Sequence, residues 1–299
     1  MPRLAGTFTL LVTPFDAAGR LDTGSLARLL DHHLAAGTDG IFAVCGTSEM
    51  AELTSEERRA VAAAAVRQVG GAVPVVAAAN LEGDPRAQGD EVARMAATGV
   101  DGVVLVPPRR HDGDPEALFG YLAALARRSS VPVLLYEWPG SRPSEIPAAV
   151  YGRLHAECGV AGIKDTTCTR AGISAKVAAA PAACVFQANN PLLLAAFDLG
   201  ARGTMTITSA ARPDLLAALL RAWEAGRPDE ADALHREIVF LDAVLAPCHP
   251  GGAKWLLHRA GVIDNPAVRG GRLPGDAERA ALEAWERRAP AWSGPRGPR

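Results

Sequence analysis

Read for hydrophobic period, the chain alternates between two textures. Short runs rich in apolar and β-branched residues predict strands at Thr7–Thr13, Gly40–Val44, Val75–Ala79, Gly102–Val106, Val133–Tyr136, Val160–Lys164, Val185–Ala188 and Gly203–Ile207. Between them lie longer stretches with apolar positions three and four apart. DTGSLARLLDHHLAAG, TSEERRAVAAAAVRQVG and DPRAQGDEVARMAATG are examples, and they predict amphipathic helices. Thr23, Ser55 and Asp84 read as the capping residues that open helices, and Gly37, Gly70 and Gly99 stand at expected ends.

Eight strand–helix alternations call for parallel strands joined by helical crossovers, which places the chain in the α/β class. A closed (β/α)8 TIM barrel over residues 1–225 satisfies that pattern most economically. An open, doubly wound sheet is the competitor. Against it, the first strand leads into TPFDAAGR and not into a GxGxxG turn, so no dinucleotide fingerprint is present. Residues 226–299 continue with three helical patterns, PDEADALHREIVFLDAVLA, GGAKWLLHRAG and GDAERAALEAWERR, and no further strands. They are expected to form a C-terminal helical extension packed on the barrel, with the tail PAWSGPRGPR frayed.

Composition narrows the function classes. The chain has 299 residues, of which 48% are hydrophobic and 21% charged, enough for a large buried core. A formal net charge of -2 supplies no long-range field for nucleic acid or anionic lipid, so neither is expected as a partner. No apolar stretch reaches the ~18 residues of a membrane span, and MPRLAGTFTL lacks a signal-peptide core, so a cytoplasmic location is expected. The five cysteines, 45, 158, 168, 184 and 248, show no CxxC spacing and read as free thiols. The seven histidines are scattered without metal-ligand spacing, so no metal site is expected. Cys248-His249 in APCHPGG reads as a helix-breaking loop. There is no GxSxG elbow and no P-loop.

In a barrel of this kind the reactive groups sit at the carboxyl ends of the strands. That filter selects Thr47 and Ser48, Arg109 and Arg110, Tyr136, Lys164, and Asn189 with Asn190. Lys164 is the most informative, because only three of the 31 basic residues are lysines: 164, 176 and 254. A solvated lysine, with a pKa near ~10.4, is a poor nucleophile. Desolvated at a barrel mouth, its amine is freed to attack a ketone and form an imine, an electron sink for an adjacent carbon–carbon bond. The competing reading pairs Lys164 with Asp165 at the surface. Lys176 and Lys254 fall on helical patterns and read as surface charges. Tyr136 could shuttle protons beside the amine, or simply pack. The turn after the second strand, with Thr47 and Ser48, could hold a carboxylate on amides and hydroxyls, or could merely lead into a helix cap at Thr54 or Ser55.

These stretches resemble the dihydrodipicolinate synthase/N-acetylneuraminate lyase family of class I aldolases over nearly the whole chain. The resemblance is carried by LLVTPFDAAGRLD, GIFAVCGTSEMAELTSEE, YEWPG followed by GIKDTT, ANNPLLLAAFDLGARGTMTITS, and KWLLHRAGVIDNPAVRGGRLP. It implies a (β/α)8 barrel assembling as a homotetramer. It further implies Lys164 as the Schiff-base residue for pyruvate or another 2-oxo acid, Tyr136 as the proton shuttle, and Thr47 as a carboxylate contact. No metal or organic cofactor is implied, the imine on Lys164 taking that part.

Departures from the family pattern are specific. Gly46 occupies the first threonine position of the GTTGE-type loop, and Arg110 stands where a relay tyrosine from a neighbouring subunit is expected. Ser141 takes the place of the arginine that follows YEWP in the synthases' pattern, with Arg142 one residue later, and Glu137 replaces an asparagine. The leading expectation is therefore a Schiff-base lyase that cleaves or forms a bond between a 2-oxo acid and an aldehyde. Dihydrodipicolinate synthase proper is disfavoured. Gly46, Thr47, Ser48, Arg110, Glu137, Asn190 and Met205 are expected to line its substrate pocket. The alternatives are a Schiff-base dehydratase or hydratase of a keto-sugar acid, and a catalytically retired barrel that binds a small ligand.

Overall fold

The computed structural model describes residues 4–289. Eight parallel strands, each bonded to its neighbour in chain order, close into a barrel as β8 pairs with β1. The strands are β1 (Gly6–Leu10), β2 (Gly40–Val44), β3 (Val75–Ala78), β4 (Gly102–Leu105), β5 (Val133–Tyr136), β6 (Gly162–Asp165), β7 (Cys184–Gln187) and β8 (Gly203–Thr204). Eight helices follow them in turn: α1 (Thr23–Ala35), α2 (Ser55–Val69), α3 (Pro85–Ala96), α4 (Pro115–Ala126), α5 (Ala148–Cys158), α6 (Arg170–Ala179), α7 (Leu193–Asp198) and α8 (Pro213–Glu224). Three more, α9 (Pro228–Leu245), α10 (Gly251–Arg259) and α11 (Asp276–Glu286), come after the barrel. The TIM barrel with C-terminal helices expected from the period is the observed fold. The tail PAWSGPRGPR lies outside the described residues.

Element ends differ from expectation where local chemistry intervenes. The first strand stops at Leu10, short of Thr13, although the Leu11 amide still reaches Phe42 O. Val160 lies just past α5, its amide bonded back to Leu154 O behind the left-handed Gly159 cap, so β6 begins later. The eighth strand is only two residues long, because Ile207–Ala210 wind into a 3-10 turn. Helix caps fall at Asp22, Thr54 and Asp84. At Thr54 the side chain accepts from the Glu57 amide while Glu57 bonds back to the Thr54 amide.

Paired residues of a parallel ladder point to the same face. Following the register around the barrel puts Phe8, Gly40, Phe42, Tyr136, Lys164, Phe186 and Gly203 on the inner face. Below the mouth, Phe8 and Phe186 meet edge to face with centroids 5.0 Å apart. Each ring needs a residue without a side chain beside it: a methyl at Gly40 would stand 2.4 Å from the Phe8 ring, and one at Gly203 would stand 2.5 Å from Phe186. Both rings are fully buried, and each contributes about 2–3 kcal/mol of apolar transfer energy. This aromatic plug is the floor on which the mouth residues rest.

The ladder between β2 and β3 slips between Phe42 and Val44, so that Val44 pairs with outward-facing Ala77. Such a bulge re-aims the residues that follow it. Here it brings Cys45 to the inner side at the start of the Cys45–Glu49 turn. The C-terminal extension then fastens that turn. Lys254 on α10 pairs with Glu49 at 2.5 Å, both side chains buried, and Glu49 also accepts from the amides of Arg269 and Gly270 at 2.6 Å.

Candidate active site

Lys164 is the penultimate residue of β6, on the inner face, and Tyr136 ends β5 directly beside it in register. The Lys164 side chain is buried, with Nζ 4.3 Å from the centre of the Tyr136 ring and 5.5 Å from that of Phe42. Among the described residues it forms no salt bridge. Desolvation pulls its pKa down to about 8, although the nearby Cys45 acts in the opposite direction. At pH 7 roughly one such amine in ten is neutral, against ~0.04% for a solvated lysine. Burial also pushes the Tyr136 phenol well above its ordinary range, so it stays protonated and available as a donor. Among the described residues its hydroxyl has no hydrogen-bond partner.

The surface pairing of Lys164 with Asp165 does not occur. Asp165 points to the outer face, where Lys176 on α6 reaches it at 2.9 Å and reaches Glu137 at 2.8 Å. This buried cluster lies behind the barrel wall. Burial pushes the Glu137 carboxyl up to about 7 despite the neighbouring Lys176, and its two oxygens accept from the amides of Ile146 and Thr166. Glu137 is thus turned away from the mouth, one residue beyond inward-facing Tyr136, and is not a pocket residue. Lys176 and Lys254, expected at the surface, are both buried in ion pairs. The chain spends two of its three lysines on holding the wall and the turn, and leaves the third unpaired at the mouth.

In the Cys45–Glu49 turn, a methyl on Gly46 would stand 3.2 Å from the Tyr136 hydroxyl. The turn's inner edge therefore lies against the phenol, with no room for a larger residue unless Tyr136 moves. Thr47 is buried, and its Oγ1 lies 3.0 Å from His249 Nε2. Ser48 makes a different contribution from the one expected. Its hydroxyl accepts from the Cys45 amide at 2.6 Å and donates to Cys45 O at 2.8 Å, while Ser48 O accepts from Thr13. It shapes the turn and does not face a substrate. Glu49 completes the turn with φ +58, a conformation held by its bonds to the extension.

Asn190 is likewise committed to the scaffold. Its amide donates to Asp242 on α9, its side-chain oxygen accepts from Thr208, and its carbonyl lies 2.7 Å from His235 Nε2. Met205, two residues beyond Gly203, shares the inner face and is buried at the mouth. Arg109 and Arg110 are exposed on the β4–α4 loop, which is tied to the β5–α5 loop through Arg142 N to Arg109 O and Ser141 Oγ to Pro107 O. Arg110 faces solvent, whereas the Arg109 guanidinium stacks 5.6 Å above the centre of Trp138.

Trp138 and His249 are the two site residues that the strand-end filter missed. Trp138 borders a cavity of about 400 Å³ shared with Asn80, Gln88, Tyr121 and Arg109, and its indole Nε1 is 3.9 Å from where a Gly46 methyl would be. His249 belongs to the turn between α9 and α10, 202 residues from its partner Thr47. Its only signal in the sequence was its place in APCHPGG, which has no periodic or spacing signature. Among the described residues no group of three or more His, Cys, Asp or Glu is arranged to hold a metal ion, and no helix is long and apolar enough to cross a membrane.

Comparison with known proteins agrees with the fold and extends it. The model of the dihydrodipicolinate synthetase family matches residues 3–282. The 4-hydroxy-tetrahydrodipicolinate synthase of Methylococcus capsulatus is 32% identical over 273 residues, covering 91% of this chain and 92% of that protein. The crystal structure of a dihydrodipicolinate synthase from Bacillus anthracis superposes with a TM-score of 0.90 at 26% identity, covering 97% of this chain and 100% of the other. A prophage protein of the same family from E. coli K12, solved in complex with pyruvate, superposes with a TM-score of 0.87 at 23% identity, covering 95% of this chain and 98% of the other; that likeness is one of fold.

Proposed function

Because the chain belongs to the dihydrodipicolinate synthetase family of lyases, we propose that it is a Schiff-base aldolase acting on pyruvate or another 2-oxo acid and an aldehyde partner. The observation that carries this reading is the desolvated, unpaired amine of Lys164 against the ring of Tyr136. In its neutral form Lys164 attacks the ketone carbon, and the resulting carbinolamine loses water to give a protonated imine. The Tyr136 hydroxyl donates to the departing oxygen and handles the protons of the bond-breaking step. The substrate carboxylate rests on the Gly46–Thr47 turn and the Thr47 hydroxyl. Met205 packs beside the substrate's carbon chain. The imine nitrogen is the electron sink, so the reaction as proposed calls on no cofactor.

Several features argue that the partner differs from that of the relatives' named reaction. Gly46 brings no hydroxyl to the phenol, and Arg110 is turned to water in place of a relay tyrosine. Arg109, stacked on Trp138 beside the adjoining cavity, favours an acidic aldehyde there. Incubation with a panel of 2-oxo acids and borohydride, followed by peptide mass analysis, tests the reading. The expected result is a reduced adduct on the Lys164 peptide. An unmodified peptide with every 2-oxo acid would leave a ligand-binding barrel as the remaining account. Assay of 4-hydroxy-2-oxo acids without borohydride for aldehyde release separates the aldolase from a dehydratase, which would lose water and release none.

A further inference from the structure

The C-terminal extension reaches the mouth through the His249 imidazole. It stands between α9 and α10, half-buried, with Nε2 3.0 Å from Thr47 Oγ1. The backbone around it is held closely: a methyl at Gly271 would lie 2.7 Å from His249 O. Burial, reinforced by the Lys164 ammonium, pulls its pKa to about 4, so the ring is neutral near pH 7. Lys164 is the charged group that acts on it; Glu49 and Lys254, on the two segments it bridges, are paired with each other.

A neutral imidazole carries one N–H and one lone pair. With the N–H on Nε2, the ring donates to Thr47 Oγ1 and leaves the threonine proton free for another acceptor. We propose that His249 is a positioning residue for the substrate carboxylate, aiming the Thr47 hydroxyl at it and so favouring 2-oxo acids over ketones without a carboxylate. The inference rests on the Schiff-base reading above. A carboxylate bound beside Thr47 also favours the protonated ring, so binding draws a proton onto His249 as the pH falls towards 5. Protonated, the ring donates from both nitrogens and the Thr47 hydroxyl is locked as a donor to the substrate.

The test is borohydride trapping of Lys164 as a function of pyruvate and, separately, of hydroxyacetone, in the full-length protein and in His249→Ala and His249→Gln. The alanine variant is expected to raise the half-saturating pyruvate about tenfold, or ~1.4 kcal/mol, and to leave that for hydroxyacetone within about twofold. Glutamine, whose amide reaches the Nε2 position but does not titrate, is expected to restore most of the pyruvate affinity at pH 8. Its half-saturating pyruvate relative to the parent should then rise as the pH falls to 5, and by more than the same ratio for hydroxyacetone, which carries any change in the titration of Lys164. An equal rise for both ketones, no rise for pyruvate, or a flat ratio from pH 8 to 5 would overturn the proposal while leaving the Schiff-base reading intact. If the alanine variant does not fold, the glutamine ratio decides alone. Absence of any adduct in the parent protein with every 2-oxo acid would instead overturn the reading on which the proposal rests.

Discussion

Replacing Lys254 with methionine would expose how far the extension supports the site. The Nζ of Lys254 lies 2.5 Å from Glu49 and 2.7 Å from Ala267 O, over the face of Phe15, and neither charged side chain reaches solvent. Methionine keeps the packing volume but leaves the Glu49 carboxylate with only the amides of Arg269 and Gly270, and strands the Ala267 carbonyl. Removing one member of a buried pair costs about 3–5 kcal/mol, because the remaining charge keeps its desolvation penalty. Unfolding entropy is about 2.1 cal/mol/K per residue, or ~0.6 kcal/mol/K for a chain of this length, so the melting temperature should fall by ~5–8 °C. Calorimetry of the single variant and of Lys254→Met/Glu49→Gln measures this. The double variant removes the stranded charge and should recover at least about half of the loss. A single variant melting within about 1 °C of the parent, or a double variant no more stable than the single one, would refute the reasoning.

Other expectations follow from the same geometry. Tyr136→Phe keeps the ring against Lys164 and removes the hydroxyl, so turnover should drop ~100-fold or more with the melting temperature nearly unchanged. Gly46→Ala places a methyl 3.2 Å from that hydroxyl and should lower kcat about tenfold by displacing it. Because burial lowers the Lys164 pKa to about 8, the neutral amine accumulates as pH rises; trapping at subsaturating pyruvate should climb about tenfold from pH 6 to 7 and level off above about pH 9. A plateau reached only above pH 10 would indicate a solvated amine. Lys176→Met, which strands Asp165 and Glu137 behind the wall, should cost about 3–5 kcal/mol of stability while adduct formation on Lys164 persists in the folded fraction.

The chain by itself determined the order and kind of its elements and the candidates at strand ends. Those signals are local: alternation along a strand, three- and four-residue spacing along a helix, and caps such as Thr54 with Glu57. Lys164 and Tyr136 were legible as a pair because each stands at the carboxyl side of its strand and consecutive strands of a barrel are neighbours. Which lysine is left unpaired was decided only by the tertiary structure. Lys254 finds Glu49 at a separation of 205 residues, and Thr47 finds His249 at 202. Glu137, Ser48 and Asn190 have side chains as suitable for a substrate as any in the mouth. The closed barrel and its extension instead turn them onto backbone and side-chain partners. A buried polar group goes where its hydrogen bonds can be satisfied, and segments distant in sequence decide that.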